Sequence, residues 1–341
     1  MNETRRTFEG VPVLVTGATG FLGGALTERL LAEGAQVSIL ARSAEKAARW
    51  AERGVRVTVG DLTDLDAVRE AMRGSRIVIH SAAALDGTFD EMVPATVIGT
   101  RNVMAAAAEF SDITRVVHVS SIAIYGLFGG RAVITEDTTP AYAEYPYVRT
   151  KLMAEGEVLS AGARNGTLYT IVRPGMIYGP HAGLWTAGLF RLATTPAGAV
   201  FFGDGTGTAF PIFVDDVVDL LMTCALHPAA AGQVFNCAPD PAPSWRELLL
   251  AYQALTGRPA GWVGLPPILL RAAAAVTAML APRGTILRDL PDGVDWLFAR
   301  QTHSMAKARD LLGWQAQVSL SEGVARCAPW LREIGLLESG S

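Results

Sequence analysis

Val11-Pro12-Val13-Leu14-Val15-Thr16-Gly17-Ala18-Thr19-Gly20-Phe21-Leu22-Gly23 stands near the start of the chain and decides its architecture. Residues 11–16 are apolar and β-branched without polar alternation, the pattern of a strand buried on both faces. A leucine- and alanine-rich helical stretch, 21–33, follows the glycines. Between the two, Gly17 allows a tight turn, Gly20 allows the backbone to approach a ligand, and Gly23 allows the helix to pack closely on the strand. The free amides and dipole of a helix start favour phosphate groups. Strand, glycine turn and helix in this order read as a pyrophosphate site for a dinucleotide, framed by Gly17, Thr19, Gly20, Phe21, Leu22 and Gly23.

The alternation continues downstream. Strands are expected at 11–16, 36–41, 56–60, 76–80, 115–120 and 169–173, and helices at 21–33, 64–72, 96–110 and 145–163. This is an α/β fold, a doubly wound parallel sheet of the Rossmann type. After Arg173 the rhythm breaks at Pro174-Gly175, Gly179-Pro180, Gly203-Asp204-Gly205, 239–243 and Pro266-Pro267, and the helices expected at 244–256 and 304–312 no longer alternate with strands. We expect a dinucleotide-binding domain over 1–175 and a smaller mixed substrate lobe over 176–341, with the chain crossing back to the sheet near 205–240.

Composition bounds the function. Hydrophobic residues form 50% of the 341 and charged residues 18%, which suits a large buried core and excludes disorder. A net charge of −4 offers no basic face to nucleic acid, so the expected partner is a small-molecule substrate. Cys224, Cys237 and Cys327 lack the paired spacing of a zinc or redox site, so no metal is expected and the cytoplasm is the expected compartment. The polar stretch 1–10 carries no secretory signal. Residues 268–281 include Arg271 and fall short of the roughly 20 apolar residues of a transmembrane helix. They read as a buried or half-buried amphipathic helix, with a substrate lid or peripheral membrane contact through 263–281 as the alternative.

The second strand ends Leu40-Ala41-Arg42-Ser43, where a carboxylate would ordinarily accept from the adenosine ribose. Arg42, with Ser43 and Lys46, suits a 2′-phosphate instead, so NADP(H) is expected ahead of NAD(H). The alternative is that Arg42 is an ordinary surface arginine. Asp61, in Gly60-Asp61-Leu62, follows the third strand and is placed to accept from the adenine amino group.

Tyr147-Val148-Arg149-Thr150-Lys151 puts a phenol and an ammonium on one helix face. A nearby positive charge favours the phenolate and is expected to lower the tyrosine pKa toward working pH, as proton exchange with a substrate oxygen requires. Upstream, a strand ends Val119-Ser120-Ser121-Ile122-Ala123-Ile124-Tyr125-Gly126. A hydroxyl there faces the crevice where ligands of such sheets bind, so Ser121 is the expected donor beside Tyr147. Ser120 reads as a strand-end hydroxyl bonded to backbone, Tyr125 as core or pocket wall, and His80 and His118 as structural.

Together these residues resemble the extended short-chain dehydrogenase/reductase superfamily along nearly the whole chain. The resemblance also includes His80-Ser81-Ala82-Ala83, Gly99-Thr100-Arg101-Asn102-Val103, 173–180, Val214-Asp215-Asp216-Val217 and Leu312-Gly313-Trp314. It implies Tyr147 as acid/base, Lys151 as its modulator and ribose anchor, and Ser121 as oxyanion-side donor. It further implies cofactor contacts at Leu62, Ala82, Ala83, Pro174, Gly175, Met176 and Ile177, a hinge at Asp215-Asp216, and a homodimer. Thr96 stands where many relatives have an asparagine, which puts a relay water there in doubt.

Departures from the family pattern narrow the chemistry. Dehydratases resemble Thr-Asp-Glu where this chain has Ser121-Ile122-Ala123, so the pair that eliminates water is missing. Nucleotide-sugar members tend to carry an asparagine before the Tyr-Gly-Pro turn and an arginine that grips the diphosphate. Here the first region is Pro174-Gly175-Met176-Ile177 and the second position is Ala209. The look is nearest to the 3β-hydroxysteroid dehydrogenase and dihydroflavonol reductase branch. It implies an oxidoreductase interconverting a ketone and a secondary alcohol on a bulky apolar substrate that is steroid-, flavonoid- or β-keto-acid-like. The alternatives are a nucleotide-sugar epimerase with retained NAD, and a non-catalytic dinucleotide sensor.

Overall fold

The computed structural model describes residues 7–126, 132–141, 145–259, 261–281 and 294–338, without the Phe202 side chain. Residues 1–6, part of the stretch read for a secretory signal, lie outside the described residues. Strands β1 (Pro12–Thr16), β2 (Gln36–Ala41), β3 (Arg56–Val59), β4 (Ile77–His80) and β5 (Arg115–Val119) come first. They are followed by β6 (Val133–Ile134), β7 (Tyr169–Pro174), β8 (Met176–Tyr178), β9 (Ala199–Phe202), β10 (Pro211–Phe213), β11 (Gln233–Cys237), β12 (Trp262–Leu265) and β13 (Thr302–His303). Seven build one sheet in the order β11-β7-β5-β4-β1-β2-β3, and every pairing in it is parallel. The seventh, β11, comes from the C-terminal half of the chain. Three two-stranded pairs, β10-β8, β12-β9 and β13-β6, complete the strand structure among the described residues.

Helices α1 (Phe21–Ala32), α2 (Ala44–Ala51), α3 (Leu65–Met72), α4 (Phe89–Val93), α5 (Gly99–Glu109) and α6 (Pro146–Asn165) are interleaved with the sheet. Later come α7 (Leu189–Ala193), α8 (Val214–Leu226), α9 (Trp245–Ala254), α10 (Pro267–Leu280), α11 (Ala306–Leu312) and α12 (Leu320–Glu333). Side chains of the central strands alternate between two cores: Val13, Val15, Ile77, Ile79 and Val117 face one, while Leu14, Val78, Val116 and Ile171 face the other. Each such side chain contributes about 1.5–3 kcal/mol when fully buried, which is why these strands carry apolar residues on both faces.

Two expectations need correction. The helix expected over 96–110 starts with a π-helical turn, Pro94–Ile98, before α5; Pro94 has no N–H to continue the ladder of α4. The segment 268–281 is a helix but not a buried amphipathic one. In α10 only Ala274 is buried, while Ile268, Leu269, Val276, Met279 and Leu280 are exposed. Apolar residues surround this helix on all sides, so whichever stripe packs inward leaves others outward. No helix among the described residues is long and apolar enough to cross a membrane.

Candidate active site

Gly17 turns with φ +79°, and a β-carbon on it would lie 2.8 Å from the Ala82 amide. One on Gly23 would lie 2.2 Å from the Gly17 carbonyl. Gly20 N-caps α1 without any side-chain acceptor, so the first-turn amides, those of Phe21, Leu22 and Gly23 among them, have no intrahelical partner. Buried Trp50 supports the turn from below, donating from Nε1 to the Ala18 carbonyl at 3.1 Å. The bare cradle and uncapped helix start suit a dinucleotide pyrophosphate.

Where the adenosine end is expected, Arg42 is exposed after β2 and its charge reaches Asp61 after β3. Asp61 Oδ1 already accepts from the Thr63 amide and hydroxyl at 2.8 and 2.7 Å, and these bonds hold its carboxyl below the usual range. The Ser43 hydroxyl caps α2, accepting from the Lys46 amide at 3.3 Å. Where the nicotinamide is expected, Gly175 N donates to the Cys237 carbonyl at 2.9 Å and Met176 N to the Phe210 carbonyl at 2.8 Å. Pro174 and Met176 are buried and the Gly175 and Met176 amides are taken, so in this stretch only Gly175 and Ile177 have surface to offer a cofactor.

Ser121, Tyr147 and Lys151 come together at the carboxyl end of β5. Ser121 caps the 3₁₀ turn Ile122–Tyr125, its Oγ accepting from the Ala123 amide at 3.1 Å, and it is hydrogen-bonded to Tyr147. Pro146 sets the first turn of α6, with Tyr147 next to it. Lys151 Nζ lies 5.9 Å from the Tyr147 ring centroid and donates to the Val119 carbonyl at 2.9 Å. Tyr147 is half-buried beside a shallow pocket lined by Leu85, Asp86, Gly87, Met92, Tyr145 and Pro146.

The expected lowering of the Tyr147 pKa by Lys151 is overturned. Burial pushes the phenol up from its ordinary 10, with the Ser121 hydrogen bond only partly offsetting this. Burial also lowers Lys151 to about 8, against the opposing pull of Glu155. Desolvation sets the direction at the phenol, and the Lys151 ammonium is directed at the Val119 carbonyl.

Around this centre, Thr96 is buried in the π-helical turn, and its Oγ1 accepts from the Ala84 amide at 3.0 Å. His80 bonds to Thr16 Oγ1 at 2.7 Å and Thr100 Oγ1 at 3.0 Å. The backbone bond expected for Ser120 is absent: Ser120 Oγ and both His118 ring nitrogens are buried without partners among the described residues. Sheet pairing already uses the strand-end backbone, as when Ser120 N donates to the Val172 carbonyl. Asp216 accepts from the Gln317 and Val318 amides at 2.8 and 3.2 Å, tying α8 to the approach of α12. Ala209 is fully buried, with its amide bonded to the Pro243 carbonyl at 2.8 Å.

Sequence reasoning missed Glu155 and Asn236. Arg173 forks onto the Glu155 carboxylate with Nε–Oε1 at 2.9 Å and Nη2–Oε2 at 2.7 Å. Arg173 Nη1 also donates to Tyr125 Oη at 2.6 Å, and Tyr125 donates to Asn236 Oδ1 at 2.8 Å. The available signal was spacing, since Tyr147, Lys151 and Glu155 recur every four residues.

Residues 13–238 match the model of the NAD dependent epimerase/dehydratase family. The UDP-glucose 4-epimerase of Mycolicibacterium smegmatis is 31% identical, over 94% of this chain and 98% of the relative. The 2-alkyl-3-oxoalkanoate reductase of Stenotrophomonas maltophilia is 29% identical, over 92% of this chain and 97% of the relative. Among solved structures, MoeE5 in complex with UDP-glucuronic acid and NAD superposes with a TM-score of 0.71 at 26% identity, covering 95% of this chain and 99% of that one. With two thirds of its length under the family model and a relative matched end to end, the chain belongs to the NAD-dependent epimerase/dehydratase family of extended short-chain dehydrogenases/reductases.

Proposed function

We propose that the protein interconverts a ketone and a secondary alcohol on a bulky, largely apolar substrate, with Tyr147 as acid/base. The observation that carries this is the Ser121–Tyr147 hydroxyl pair at the carboxyl end of β5, with Lys151 beside it. Held neutral by burial, the Tyr147 phenol gives its proton to the substrate oxygen as that oxygen gains negative charge. Ser121 donates a hydrogen bond to the same oxygen, and the Lys151 ammonium stabilises the tyrosinate left behind. Bound NAD(P)(H) supplies or accepts the hydride. Residues 1–175 hold the dinucleotide and 176–341 close over the substrate in this reading.

Ala209 supports an apolar substrate over a nucleotide sugar, because a buried alanine gives a diphosphate nothing to bind. The similarity to an alkyl-oxoalkanoate reductase points the same way. Arg42 favours NADP(H). The exposed face of α10 favours peripheral contact with a lipid surface, which liposome sedimentation tests, and exposed Met153 and Leu159 on α6 favour a dimer through that helix.

Turnover of Tyr147→Phe on a panel of steroid, flavonoid and β-keto-acid ketones tests the central claim. A loss of about 10²–10⁴-fold is expected, and near wild-type turnover sinks it. The identity shared with a UDP-glucose 4-epimerase supports a second reading, nucleotide-sugar epimerisation. Tightly held NAD after purification, with activity on UDP-sugars and none on ketones, would favour it.

A further inference from the structure

Helix α6 carries a third chemical group besides Tyr147 and Lys151. Glu155 follows Lys151 by one turn on the same face, and both are only 3% exposed. The two Glu155 oxygens are taken by the Arg173 fork, and the remaining guanidinium nitrogen goes to Tyr125. Tyr125 ends the 3₁₀ turn that Ser121 begins. One buried guanidinium therefore joins the Lys151 helix to the Ser121 turn, and through Tyr125 and Asn236 to β11.

We propose that Glu155 and Arg173 are positioning residues: their fork fixes α6 against the Ser121 turn, and the Glu155 carboxylate supplies the negative charge that lets buried Lys151 remain an ammonium. The proposal rests on the oxidoreductase reading for the use made of Lys151. The groups facing Lys151 are Tyr147 and Glu155 from its own helix, the Val119 carbonyl and His118 from β5, and His80 from β4. Burial keeps the two imidazoles and the phenol neutral. Among these groups the negative charge belongs to Glu155. Burial still brings Lys151 down to about 8 while Glu155 acts upward.

The chain has three lysines, Lys46, Lys151 and Lys307. Protein labelled with ¹³C-lysine thus gives three side-chain signals, and Lys151→Arg assigns the one of interest. The wild-type Lys151 signal is expected to titrate at pH about 8. In Glu155→Gln its midpoint is expected to fall by about one pH unit or more while the other two stay put. Glu155→Asp keeps the charge and is expected to restore most of the difference. Because Glu155→Gln strands the Arg173 charge, the neutral pair Glu155→Gln/Arg173→Met serves as the second variant, with a smaller fall in the same direction expected. An unmoved Lys151 midpoint in either folded variant overturns the proposal. Failure of the oxidoreductase reading shows instead in Tyr147→Phe turnover, which this titration does not involve.

Discussion

The glycine turn and the candidate catalytic centre lie at the carboxyl ends of β1 and β5, two strands apart in one sheet, yet they are held by opposite means. The turn is made of neighbouring residues and is governed by volume: a positive φ at Gly17 and no room for a β-carbon there or at Gly23. The centre collects Ser121, Tyr147 and Lys151 from two distant segments and is governed by charge and burial. Of its supports, Tyr125 and Glu155 lie in those same two segments, while Arg173 and Asn236 come from β7 and β11. A site governed by volume fails when atoms are added. One governed by charge fails when a partner is removed or a proton arrives.

The sharpest way to break this contrast is Arg173→Met. It leaves the buried Glu155 carboxyl without its bidentate partner, and breaking such a pair costs about 3–5 kcal/mol. Urea unfolding is expected to show that loss, and an unchanged unfolding midpoint would mean that the centre is not held by charge.

Acid is the second probe. Burial lowers His80 to about 3 and His303 to about 4, and His118 well below its ordinary value. The unfolded chain protonates these imidazoles below pH about 6.5 while the folded protein keeps them neutral, so stability is lost as pH falls through that value. Each contributes a loss of about 2 kcal/mol by pH 5. Equal unfolding free energies at pH 7 and pH 5 would contradict this.

Gly17→Ala tests the turn from the other side. At least a tenfold loss of dinucleotide affinity, about 1.4 kcal/mol, is expected by calorimetric titration. Gly54→Ala is its control, since Gly54 shares the φ of +79° but has open space around it. Strain of about 1 kcal/mol should lower its stability and leave affinity intact. If both variants bound alike, backbone strain and not the cradle would explain the turn. The smallest effect belongs to exposed Arg42: Arg42→Ala is expected to weaken NADPH binding about fivefold, roughly 1 kcal/mol, and leave NADH unchanged. Equal losses would remove the 2′-phosphate reading.

The contrast also separates what could be read in advance. Residues 11–23 encode a strand, a turn and a helix through conformational preference and packing that act within one short stretch, so the dinucleotide fold and the glycine positions follow from the sequence. The four-residue spacing of Tyr147 and Lys151 places them on one helix face for the same reason. Whether Tyr147 titrates above or below its ordinary value is not local: it depends on how much of the protein removes water from the phenol and on where Lys151 points. Tertiary structure decided that sign, and it alone brought Arg173 to Glu155 and left the outer face of α10 uncovered. Burial and field are sums over residues far apart in the chain, whereas backbone conformation and helix face are set by neighbours.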